Sequence, residues 1–166
     1  HEVATLDDGM KYAGDDAQGT DKSKVIAKKL NQTMDIVGGA DKTKLTDNNI
    51  GVNNVDGKLK VQLSNTINLT PAGSLTIGDT MINDGGLSIH NGPSITKGGI
   101  NAGNKIIVNV APGVNGTDAV NVNQLNSART EVEEGDNVTV TSRTGANGQT
   151  IYKVSATGVN LGDAEL

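Results

Sequence analysis

The sequence contains no cysteine, phenylalanine or tryptophan, and its tyrosines are only Tyr12 and Tyr152. The missing thiols exclude a disulfide framework, a thiolate nucleophile and a thiolate metal site, and they fit either the cytosol or a surface protein that is stable without cross-links. The missing rings weigh on the core, because an aromatic side chain ordinarily removes about 150–250 Å² from water. Leucine, isoleucine and valine must supply nearly all the burial, and here they are scattered among Asn, Asp, Thr, Ser and Gly. The composition lies just above the range in which a chain stays disordered. A 166-residue chain has the length of one domain or a few small modules. One this poor in apolar bulk gains most by burying its stripes against copies of itself.

Other absences narrow the function. No apolar run approaches the ~20 residues that a membrane helix needs. The net charge of −5 argues against a nucleic-acid footprint and against non-specific attachment to an anionic membrane surface. The lysines from Lys22 to Lys29 follow Asp15, Asp16 and Asp21 in sequence and are expected to form a solvated face. His1-Glu2 offers no Met, basic n-region or apolar h-region, so the sequence is expected to be an internal piece of a longer chain.

What the sequence has in quantity is turn residues, including 22 glycines. Asp8-Gly9, Gly38-Gly39, Asp56-Gly57, Asp84-Gly85-Gly86, Asn91-Gly92-Pro93, Gly98-Gly99, Asn115-Gly116 and Asn147-Gly148 punctuate it at the spacing of short strands. Between them the apolar period is mostly two. Leu59, Val61 and Leu63 alternate with Lys58, Lys60 and Gln62; Leu75/Ile77, Leu87/Ile89 and Val108/Val110 repeat the pattern. Residues 137 to 157 predict a hairpin turning at Gly-Ala-Asn-Gly. Residues 22 to 37 fit a helix through Val25, Ile26, Leu30 and Met34 or a strand through Met34 and Ile36, and their strand-rich surroundings favour the strand.

One segment departs from period two. Thr117 and Asp118 are N-cap candidates, and Val122, Leu125, Arg129 and Val132 follow at spacings of three, four and three, a short coiled-coil seam. Such a helix is below the ~12–15 residues that are marginal alone in water. Either it meets identical helices of other subunits at a shared axis, or it packs on its own chain's sheet.

The stretch VNVAPGVNGTDAVNVNQL, residues 108–125, closely resembles the neck motif of trimeric autotransporter adhesins. GGINAGNKII, residues 98–107, is similar to the Gly-Ile-Asn head segment that precedes such necks, and GGADKTKLTDNNIGV at 38–52 and GLSIHNGPSITKGG at 86–99 resemble other head modules. The resemblance implies a mainly β fold: a homotrimeric, intertwined β-prism or β-roll head, a short neck helix leading to coiled-coil-like packing, and a further β segment. The implied modules are an N-terminal head over 1–52, a second head over 53–108, a neck over 109–128 and a connector over 129–166.

In that scheme Val108 and Val110 line a shared core, and Ala119, Val120, Val122 and Leu125 continue the apolar contact. Gly113 and Gly116 supply bends, Asn109, Asn121 and Gln124 satisfy backbone groups, and Thr117 or Asp118 caps the helix. The resemblance further implies display on a bacterial surface, with an outer-membrane barrel anchor elsewhere in the full protein. It also implies attachment to host cells or to matrix proteins of the collagen, fibronectin or laminin class, and autoaggregation or biofilm formation. The tryptophan-ring module frequent in such heads does not carry over, since Trp is absent. A trimeric phage tail fibre or spike is the alternative.

An enzyme is disfavoured. His90 sits in a turn-rich stretch, Ser88 and Ser94 lack a G-x-S-x-G context, and GGINAGNK has neither phosphate-loop spacing. Asp7-Asp8 and Asp15-Asp16 lack EF-hand spacing and are expected to be solvated turn carboxylates, so neither metal nor cofactor is expected.

Overall fold

Alternating side chains and turn residues translate into hairpins in a computed structural model that describes residues 2–158. Strand β1 (Gly9–Tyr12) pairs with β2 (Ile26–Lys29), and β3 (Ile50–Val55) with β4 (Lys58–Leu63), both antiparallel. The β3–β4 turn is Asp56-Gly57, with φ of 52° and 79°. These left-handed values match the strand twist in a two-residue hairpin and favour glycine at the second position. Asn54 reinforces the turn by accepting from the Gly57 amide at 2.9 Å.

Five short strands then form a meander: β5 (Ser74–Ile77), β6 (Thr80–Asn83), β7 (Gly86–Ile89), β8 (Ser94–Thr96) and β9 (Gly99–Asn101). After helix α1 (Val122–Ala128), β10 (Val138–Thr144) and β11 (Thr150–Ala156) make the C-terminal hairpin, closed by Gly145 N donating to Gln149 O at 2.7 Å. The fold is mainly β, as expected. The chain divides into two units between Ser74 and Leu75. The boundary expected between 52 and 53 falls inside β3, which continues through it to complete its register with β4. His1 and the end of the expected 129–166 segment, from 159 on, lie outside the described residues.

Two sequence expectations are corrected. In the 22–37 segment only Ile26–Lys29 forms a strand, and Met34 and Ile36 lie outside it, because β1 offers four residues to pair with. Val108 and Val110 are not in a strand of this chain. Asn109 between them takes φ of 59°, which breaks the extended path, and no described strand pairs with them.

The registers line apolar residues up across strands. Ile82, Leu87, Ile95 and Ile100 form one row from β6 to β9, while Ile50 faces Leu63 and Val52 faces Val61 in the β3–β4 hairpin. In a solitary domain such rows would be covered. Here Ile95 is 53% exposed, Ile100 76% and Leu63 71%. The chain exposes 15331 Å². A compact monomer of this mass exposes about 7,700 Å², and two separate bodies of half the mass together about 9,300 Å². Among the described residues only Ala17 is a buried apolar side chain and only Asn49 a buried polar one. Asn49 is held from three sides. Its Nδ2 donates to Thr46 Oγ1 at 2.8 Å and to Asn68 O at 2.9 Å, and its Oδ1 accepts from Asn68 N at 3.0 Å.

Candidate functional site in the neck segment

Residues 108–128 form no sheet, so their backbone polar groups need other partners. Side-chain amides provide them. Gln124 brackets Gly113: its Nε2 donates to Gly113 O and its Oε1 accepts from Gly113 N, both at 2.8 Å. Asn121 donates from Nδ2 to Val110 O at 3.0 Å. Both residues come from the start of α1, so the helix N-terminus holds the incoming strand-like segment across eleven residues of sequence.

The same two residues build the helix cap. Asn121 Oδ1 accepts from Gln124 N at 3.0 Å, and Gln124 Oε1 accepts from Asn121 N at 3.3 Å, a reciprocal capping box. The expected caps, Thr117 and Asp118, are displaced from that role because the helix begins later, at Val122. Asp118 instead closes the preceding loop: its Oδ2 accepts from Asn115 N at 2.8 Å and Val114 N at 3.0 Å, and its own amide donates to Asn115 O at 3.0 Å. The Asn115 amide first, then that of Val114, holds the Asp118 carboxyl below its ordinary value of 3.8. Thr117 is exposed in this loop.

Gly113 is confined by its neighbours. A Cβ there would lie 2.6 Å from Ala119 O, so the bend tolerates no side chain without moving that carbonyl. Gly116 faces open space. Asn109 bends the backbone in the left-handed region and contributes conformation to the segment. Sequence reasoning located Asn121 and Gln124 as hydrogen-bonding residues; it missed their capping role, although Asn followed three positions later by Gln ahead of an apolar residue is the signal of a capping box.

The apolar members of the segment point away from the chain's own bulk. Val108 is 69% exposed, Val120 67%, Val122 70% and Leu125 63%, with Val110 half-buried and Ala119 exposed. Packing of α1 on its own sheet is therefore overturned. The helix ends at Ala128, where Arg129 turns extended (φ −65°, ψ 134°), so Arg129 and Val132 do not continue the expected seam along α1.

Elsewhere among the described residues no catalytic arrangement forms. Ser88 and Ser94 face each other across β7 and β8, and His90 donates its backbone amide to Asp79 O at 2.9 Å. No cluster of three or more potential metal ligands occurs among the described residues. A surface depression of about 470 Å³ lies along β10–β11 beside Arg143, Tyr152 and Lys153, without a base positioned beside a nucleophile.

Residues 107–157 match the family model described as the coiled stalk of trimeric autotransporter adhesin. The chain is 41% identical over 138 residues to the trimeric autotransporter adhesin AtaA of Acinetobacter sp. (strain Tol 5), covering 80% of this chain and 3% of that protein. It is 48% identical over 61 residues to the autotransporter adhesin BadA of Bartonella henselae, covering 37% of this chain and 2% of that protein. The chain thus spans a small share of these curated relatives. Among solved structures, N-terminal domain 1 of VompD from Bartonella quintana shares 32% identity over 71% of this chain and 96% of its own, with a TM-score of 0.46.

Proposed function

The chain belongs to the trimeric autotransporter adhesins, and we propose that it is a structural and adhesive segment that works as a homotrimer on the outer surface of a bacterium. The observation that carries the trimer is unburied apolar surface in residues that share one segment. Val108, Val120, Val122 and Leu125 are all at least 63% exposed in the single chain. Complete burial of side chains of this size contributes about 1.5–3 kcal/mol each. A second and third copy meeting at these residues would supply that burial; the clamp of Gln124 and Asn121 on Gly113 and Val110 then fixes the path by which each chain enters the shared helix bundle.

The modules proposed along this path are heads before residue 109, a neck over 109–128 and a β connector after it. In the full protein they are displayed from an outer-membrane barrel. Three identical faces favour multivalent attachment, in which avidity grows through effective concentration. The partners proposed are host-cell surface or matrix proteins of the collagen, fibronectin or laminin class, together with like molecules on neighbouring cells during autoaggregation and biofilm growth. The role is not enzymatic.

Sedimentation equilibrium tests the assembly: a species of three chains is expected, and a folded, stable monomer at all concentrations defeats the proposal. Binding of the assembled protein to immobilised collagen, fibronectin and laminin tests the adhesive part. A trimer that binds none of them, nor host cells, would be a spacer.

A further inference from the structure

The sequence holds three asparagine–glycine pairs, Asn91-Gly92, Asn115-Gly116 and Asn147-Gly148. In such a pair the glycine amide nitrogen is able to attack the asparagine side-chain carbonyl, because no Cβ on the following residue hinders it. The attack forms a five-membered succinimide and expels ammonia. Water then opens the ring at either carbonyl, leaving aspartate or isoaspartate, and the proton released by the new carboxyl is taken up by the ammonia, so the net change is asparagine plus water to a carboxylate plus ammonium. The step requires a glycine amide free to lose its proton and turn toward the side chain.

The fold treats the three amides differently. Gly92 N is engaged with Ile89 O at 2.9 Å, and Gly148 N with Gly145 O at 3.1 Å. Among the described residues no acceptor takes the Gly116 amide. Around Gly92 the space is also filled, with Ile89 Cγ2 3.0 Å from where a Cβ would sit, whereas around Gly116 and Gly148 nothing lies within 4 Å, so on these two counts Gly148 differs from Gly116 by its hydrogen bond alone. Asn115 is exposed, and its backbone is anchored at both ends by Asp118 while its side chain makes no hydrogen bond among the described residues.

We propose that Asn115 is the chain's site of spontaneous deamidation, and that conversion there loosens the neck loop. Aspartate at 115 puts a second carboxylate beside that of Asp118. Isoaspartate does more: it lengthens the backbone by one methylene inside the loop whose Asn115 N to Asp118 Oδ2 bond is 2.8 Å, and that register is lost.

The intact protein is incubated at mildly alkaline pH and mapped by peptide mass spectrometry, which reads the gain of about one mass unit at each pair. Asn115 is expected to convert about fivefold faster than Asn91 or Asn147, the factor for releasing one hydrogen bond worth about 1 kcal/mol. The unfolded chain serves as control and should bring the three rates together. Gly116→Ala should slow conversion at 115 and leave the other two sites unchanged. Equal rates in the folded protein, or Asn91 or Asn147 reacting ahead of Asn115, would overturn the proposal.

Discussion

Gln124 and Gly113 are joined by two hydrogen bonds of 2.8 Å, the side-chain amide presenting one donor and one acceptor to the backbone just as a neighbouring strand would. The pairing has a polarity that a carboxylate cannot reproduce. Gln124→Glu keeps an acceptor for Gly113 N but sets an anionic oxygen against Gly113 O, leaving that carbonyl without its donor. The change is expected to cost about 1–3 kcal/mol in neck stability. Thermal unfolding measures it. An unfolding midpoint unchanged from the parent's would mean that the clamp is not made in solution.

Much of the strand content was legible because the apolar period and the turn chemistry agree. Asp56-Gly57 and Gly-Ala-Asn-Gly lie between alternating runs, and both became hairpin turns. The neck was harder. Val108 and Val110 carry strand periodicity, but a strand needs a partner, and pairing is a non-local property that Asn109, at φ of 59°, interrupts in this chain. The cap was misplaced for a related reason. Thr117, Asp118 and Asn121 all have side chains able to cap, and the choice among them is decided by Gln124, which serves both Asn121 and Gly113 and so fixes the cap three residues later than Asp118. The exposed valines follow from composition: alternation ordains which face is apolar but does not say what covers it.

Acid should loosen the loop at 114–118 before it disturbs the amide clamp. The Asp118 carboxyl is held below 3.8 by the Asn115 and Val114 amides. Its folded value is therefore lower than its unfolded one, and the stability it contributes is fully present above about 3.8 and is lost as pH falls through the lower, folded value. The amide resonances of Val114 and Asn115 followed by NMR through an acid titration are expected to shift together below that point. In Asp118→Asn this shift should vanish while the rest of the acid response remains, since Asp21 and Asp41, bonded to Ser23 and Thr43, titrate in the same direction. Persistence of the shift in Asp118→Asn would assign it to another group.

Leu125 directly follows Gln124 of the capping box and is 63% exposed, so in a monomer its replacement by aspartate should be nearly neutral or mildly favourable. In an assembled neck the same change buries an unpaired charge, at a cost of about 3–5 kcal/mol. Leu125→Asp is accordingly expected to raise the concentration needed for assembly and to lower the midpoint of thermal unfolding in a concentration-dependent way. Leu125→Met, which keeps apolar volume, should cost less than about 1.5 kcal/mol. Equal behaviour of the two variants and the parent would place the shared surface elsewhere in the chain.

Asn49 is a test of the N-terminal unit that does not depend on assembly, because its three hydrogen bonds all close within one stretch of chain. It is 7% exposed and ties the start of β3 to Asn68, nineteen residues on, with Thr46 as its third partner. Asn49→Ala strips partners from both the amide and the carbonyl of Asn68 at once, and each group left unpaired and shielded from water costs about 1–3 kcal/mol. Asn49→Asp separates the two halves of the interaction. A carboxylate still accepts from Asn68 N, and the Thr46 hydroxyl, an acceptor in the parent, can turn to donate to it, but it repels Asn68 O, so the variant should fall between the parent and Asn49→Ala at neutral pH. It should recover stability on acidification, when protonation restores a donor toward that carbonyl. Urea unfolding of the three proteins at neutral and acid pH measures the order; Asn49→Ala as stable as the parent would show that the 64–70 loop is held by something other than this side chain.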